Sequence, residues 1–102
     1  KQVESVAGEM VMVGGKEVSA TGKHAVLAKR DDAWRMLVCE GLRRKNGNFE
    51  EARRWAQAQY RNFYGDFARR DIRNTVPLEP APELLKLVQH NIIKWAKSRP
   101  KA

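Results

Sequence analysis

Cysteine is nearly missing: Cys39 is the single one in a chain of 102 residues, so no internal disulfide can form and no C-x-x-C pair exists to hold a metal or exchange electrons. Such usage fits a reducing, intracellular setting. Long apolar runs are missing too. Nothing approaches the roughly 18 residues that cross a bilayer, and the first residues, Glu4 and Glu9 among them, do not read as a signal peptide. A soluble protein without a membrane partner is expected. The chain starts at Lys1 rather than Met, as a fragment of something longer or a trimmed chain would. A domain of this length buries roughly two-thirds of the surface its unfolded chain exposes, enough for one modest core but not for a second domain or a deep substrate cleft. Large cofactor enzymes are therefore disfavoured, and no cofactor is expected.

Catalytic and ligand-binding signatures are equally scarce. Gly14-Gly15-Lys16 and Gly22-Lys23 look like pieces of a phosphate loop, but the glycine that must stand five residues before Gly22 is Glu17, and the hydroxyl residue after Lys23 is His24. Gly14-Gly15 reads instead as a turn. His24 and His90 are far apart, with no nearby Cys and no H-E-x-x-H spacing, which argues against zinc. Cys39, between Val38 and Glu40, reads as a buried or half-buried inert thiol rather than a nucleophile. Asp31-Asp32 and Glu50-Glu51 sit where helix starts attract carboxylates, and adjacent helical residues do not face one another, so neither pair suits acid–base work.

What the chain has is positive charge: 20 Lys and Arg against 12 Asp and Glu, net +8, with a pI near 10.1. Residues 1 to 50 hold 9 basic and 7 acidic side chains, whereas residues 51 to 102 hold 11 and 5, so the excess lies in the second half.

The pattern predicts a mainly α fold, a small three-helix bundle with an N-terminal β-hairpin or extended arm. Residues 1–23 form the hairpin or arm, with β-favouring Met10 to Val13 and Lys16 to Val18 flanking Gly-Gly. Residues 24–102 form the helical domain, interrupted by a proline-rich linker at 66–82. Asp31 or Asp32 caps helix one, whose stripe is Trp34, Leu37, Val38 and Leu42, with Arg35, Glu40 and Arg43 turned away. Lys45-Asn46-Gly47 ends it. Asn48 and Glu51 have capping-box spacing for helix two, whose stripe is Phe49, Ala52, Ala56, Gln59, Tyr60 and Phe63. Arg53, Arg54, Gln57 and Arg61 lie on its other side, and Gly65 stops it. Pro82 opens helix three, with Leu84, Leu85, Val88, Ile92, Trp95 and Ala96 inward and Lys86, His90, Lys94 and Lys97 outward. The three stripes bury one another.

A basic surface on such a bundle attracts polyanions, because each phosphate neutralised releases counterions. Arg54, Arg61, Arg69, Arg70, Arg73, Lys94 and Lys97 are the expected phosphate contacts. Most aromatics fall on core stripes. Trp55 and Tyr64, at the margins of helix two's stripe, are the expected base-stacking rings.

The run Tyr60-Arg61-Asn62-Phe63-Tyr64-Gly65, preceded by Trp55-Ala56 and followed by Pro82-Glu83 and Ile92-Ile93-Lys94-Trp95-Ala96-Lys97, resembles the C-terminal region of RadD-type DNA-repair helicases and their phage-encoded relatives in helicase superfamily 2. The likeness covers roughly residues 33 to 98. The ATP-hydrolysing motifs of such helicases are missing, and Asn46-Gly47-Asn48 replaces the family's Gly-aromatic stretch before the second helix. The resemblance implies a non-catalytic accessory tail of a DNA-translocating ATPase in the cytoplasm of a bacterial or phage-infected cell. It also implies that the tail binds DNA in preference to RNA, or docks a motor domain or single-stranded-DNA-binding protein. The alternative is a protein-interaction module using the hairpin edge or an apolar patch of Met10, Met12 and Trp55. A membrane-surface role for the Lys-rich third helix ranks below both, because its apolar stripe is needed for the core.

Overall fold

The computed structural model describes residues 10–14 and 16–98, with side chains up to residue 94. The chain forms strands β1 (Met10–Val13) and β2 (Lys16–Ser19), a 3-10 segment Gly22–Leu27, helices α1 (Arg30–Arg44) and α2 (Phe49–Tyr64), a short 3-10 turn Ile72–Asn74, and helix α3 (Pro82–Ser98). It is a mainly helical fold carrying a small antiparallel hairpin, as the pattern predicts.

The hairpin pairs Val13 with Lys16 across a two-residue turn and Met10 with Ser19 at its open end. Gly14 sits there at φ 61°, which glycine adopts without steric cost. Alternation along β1 turns Val11 and Val13 inward and Met10 and Met12 out. An isolated hairpin is marginal in water, and this one rests on α2 and α3. Its turn is tied to α3: the Gly14 N–H donates to Asn91 Oδ1 at 2.8 Å. A methyl group added at Gly14 would collide with the His90 ring.

Helices α1 and α2 pack antiparallel, since Gly41 meets Ala52 at one end of the contact while Trp34 meets Tyr60 edge-on, 6.0 Å between centroids, at the other. Glycine at 41 permits this approach, because a Cβ there would lie 3.1 Å from the Ala52 carbonyl oxygen. The turn between the helices uses Asn46 at φ 55° and Gly47 at φ 84°. Asn48 caps α2 as its spacing predicts, its side chain accepting from the Glu51 N–H at 3.1 Å, and Gly65 ends the helix in the left-handed conformation.

Several details depart from the one-stripe reading. The N-cap of α1 is Lys29, with Asp31 and Asp32 inside the first turn, where their charge faces the helix dipole but caps no amide. Glu40 is buried rather than turned out. The buried arc of α1 is wide, taking in Ala33, Trp34, Met36, Leu37, Val38, Glu40 and Gly41, because a second element lies across the helix. That element is the segment 66–81, a strap rather than a free linker. The Trp34 Nε1–H donates to Thr75 Oγ1 at 3.0 Å, Arg35 Nε to the Val76 carbonyl at 2.9 Å, and the Leu78 N–H to the Arg35 carbonyl at 3.2 Å. Gln57 on α2 holds the other end, donating to the Ala68 carbonyl at 3.0 Å and accepting from its N–H at 2.7 Å.

Phe49, assigned to the core stripe, is exposed. It lies beyond the Gly41–Ala52 crossing and carries the Arg73 guanidinium over its ring at 5.5 Å instead. In α3 the inward positions are Leu84, Leu87, Val88 and Asn91, while Leu85 and Ile92 are half-buried. The stripe is rotated because α3 packs chiefly on the 3-10 segment and the hairpin, not squarely on α1 and α2. Trp95 and Ala96, also assigned inward, lie outside the described side chains, as does the outward Lys97. One core joins all elements, with Trp34, Phe63, Leu27, Leu37 and Leu84 its largest fully enclosed side chains.

Candidate nucleic-acid interface

The core stripe of α2 leaves the adjacent Arg53 and Arg54, and Arg61 about two turns further on, on the outer face of that helix. Beyond Gly65 the strap folds back beside this face and brings Phe67 against it. The result is an open trough of about 620 Å³, lined by the three arginines, Gln57, Asn62 and Phe67, with no carboxylate in its lining. The Arg61 guanidinium lies 5.2 Å from the centroid of Phe67. At the start of α2, Arg53 also lines a depression bordered by Phe49, Glu50, Asp71 and Arg73.

Ion pairing sorts the basic residues into two groups. Arg43 and Arg44 both donate to Glu40, Arg44 Nε at 2.7 Å. Arg30 pairs with Asp66 at 3.3 Å, Arg35 with Asp32 at 3.8 Å, Arg53 with Glu50 at 2.8 Å and Arg70 with Asp31 at 2.8 Å. Arg54, Arg61, Arg69 and Arg73 form no ion pair among the described residues, though the charges of Arg54 and Arg73 are felt by Glu50. Arg53's hydrogen bond and charge hold the Glu50 carboxyl below its ordinary range, so Glu50 stays anionic and keeps part of Arg53's charge engaged.

The sequence-predicted contacts are thus only partly gathered. Arg54 and Arg61 line the trough, and Arg73 borders the depression near the start of α2. Arg69 and Arg70 lie on the other side of Phe67, beside a cavity of about 270 Å³ floored by Trp34 and Tyr60. Lys94 is exposed on α3 and lines none of these hollows, and the side chain of Lys97 lies outside the described residues. Of the two expected stacking rings, Trp55 is half-buried with Arg44 over it at 5.0 Å. Tyr64 is engaged throughout: its hydroxyl donates to the Leu27 carbonyl at 2.7 Å, Tyr60 leans on it at 4.6 Å and Arg30 covers it at 4.7 Å.

Two rings that sequence reasoning left in the core, Phe49 and Phe67, are the exposed aromatics of this surface, at 43% and 56% exposure. A signal for Phe67 was present: it follows the helix-ending Gly65, so no helical stripe could carry it inward.

Cys39 is half-buried, and burial together with the Glu79 charge raises its thiol pKa, the opposite of activation. Among the described residues no group of three or more His, Cys, Asp and Glu is arranged to hold a metal ion, and no helix is long and apolar enough to cross a membrane. Comparison of the chain with protein-family models, with curated proteins and with solved structures returns no match.

Proposed function

We propose that this chain is a non-catalytic nucleic-acid-binding domain that receives a sugar–phosphate backbone along the outer face of α2. The supporting observation is the trough lined by Arg53, Arg54 and Arg61 without a carboxylate, on a chain of net charge +8. Guanidinium groups donate in a planar fork that matches phosphate oxygens, and each neutralised phosphate frees counterions. Contacts of this kind position a polymer without reading its sequence. DNA as the polymer, attachment to a translocating motor and docking of a single-stranded-DNA-binding protein belong to the same proposal. They rest on the run Tyr60 to Gly65 and the matching pattern in α3.

Titration of a labelled single strand and a labelled duplex at two salt concentrations tests this reading. Arg54→Ala and Arg61→Ala should each weaken binding for every sequence and lower the salt slope by about one. Lys94→Ala, remote from the trough, should change neither. Unaltered affinity in both arginine variants, or an equal loss in Lys94→Ala, overturns the assignment.

One observation favours the protein-docking alternative: Met10 and Met12, at 50% and 38% exposure, share the outer face of β1. Docking there predicts a partner whose association is indifferent to salt and lost in Met10→Ser with Met12→Ser.

A further inference from the structure

Among the described aromatic rings two are exposed, Phe49 at 43% and Phe67 at 56%. Trp34, Tyr60 and Phe63 are buried, and the half-buried Trp55 and Tyr64 are capped as described above. Phe67 stands beside the arginines of α2, and Phe49 beside Arg53, Arg73, Glu50 and Asp71. Phe67 lines the trough, Phe49 borders the depression near the start of α2, and Arg53 lines both hollows. Each ring carries one arginine, Arg61 at 5.2 Å and Arg73 at 5.5 Å. Neither arginine has an ion-pair partner among the described residues. Phe49 is the first residue of α2, and Phe67, just past its end, folds back beside Arg61.

We propose that the polymer held on this surface is single-stranded, with unpaired bases stacking on Phe67 and Phe49 while the phosphates between them lie on Arg53, Arg54 and Arg61. The proposal rests on reading the trough as a phosphate-binding surface. In a duplex each base face is already stacked on its neighbours, so an exposed ring gains nothing there. In a single strand the faces are free, and every base has one, which makes the contact tolerant of sequence. The guanidinium that lies over each ring moves aside to let the base stack and adds a cation–π and planar contact to the same base. Spacing two rings along a row of cations lets both attractions act on one strand.

The experiment uses the full chain with a labelled homothymidine strand of about a dozen nucleotides and a labelled duplex of the same length. Phe67→Ala and Phe49→Ala should each weaken single-strand binding about tenfold, leaving duplex affinity and the salt slope unchanged. Because both rings are exposed, the far-UV circular dichroism of the variants should match the wild type. In Phe67→Trp, the indole emission added over the wild-type background should be quenched by the single strand and not by the duplex. If both alanine variants hold the single strand as tightly as the wild type while Arg61→Ala is weakened, stacking is wrong and the phosphate surface stands. If the wild type binds neither polymer at low salt, the phosphate surface itself is wrong.

Discussion

Glu40 is a carboxylate on the inner side of α1, with 9% of its side chain exposed and both oxygens occupied by Arg43 and Arg44. Burial pushes its pKa up, but the hydrogen bonds and charges of the two arginines outweigh that and leave it below the ordinary 4.5. A group whose folded pKa is depressed stabilises the fold above its unfolded pKa and loses that contribution as pH falls through the folded value. The contribution is therefore complete at neutral pH and fades below about pH 4.5. Glu40→Gln should cost about 1–3 kcal/mol near pH 7, and the gap to the wild type should close as the solution is acidified toward pH 3. Denaturant titrations across that range measure it; a gap that persists in acid refutes the assignment. Sequence periodicity placed Glu40 outward because a single stripe was fitted to α1. The wider arc that the strap covers depends on Trp34, Arg35 and Met36 meeting residues about 40 positions away, which no local pattern contains.

Among the elements, α2 is the one whose limits follow most directly from local chemistry. Asn48 supplies an oxygen for the Glu51 amide and Gly65 accepts a left-handed backbone at φ 84°, and both were legible because they depend on residues a few positions apart. Asn48→Ala should destabilise the protein by about 1 kcal/mol, seen as a fall of several degrees in thermal midpoint, whereas Asn48→Asp should retain most of the stability. An equal loss in both would mean that the cap contributes through something other than its side-chain oxygen. The inward face of helix α3 is set by more distant residues. Its start at Pro82 follows from proline's fixed φ, but its inward face is set by where the hairpin turn arrives, through Asn91 and Gly14, 77 residues apart in sequence. The hairpin is thus structural: it covers α3 where a third helix face was expected to lie against α1 and α2.

For the molecule as a whole, one core includes Val11 of the hairpin, Leu37 of α1, Phe63 of α2 and Val88 of α3, which implies a single cooperative unit. Native-state hydrogen exchange should give the slowest amides of β1, α1, α2 and α3 one common opening free energy. A lower value confined to β1 would show the hairpin opening on its own. Net charge was legible from composition, but its distribution was not. Which arginines are ion-paired depends on partners across the fold, such as Asp31 for Arg70 and Asp66 for Arg30, and the trough depends on a strap that carries Phe67 back beside α2. That strap is fastened to α2 at Ala68 and to α1 at Thr75, Val76 and Leu78. The residues it displays, Phe67, Arg69 and Arg73, are therefore already set in place by folding. A ligand arriving there meets a pre-organised surface and gives up little loop entropy, so complex formation should resemble rigid docking rather than folding upon binding.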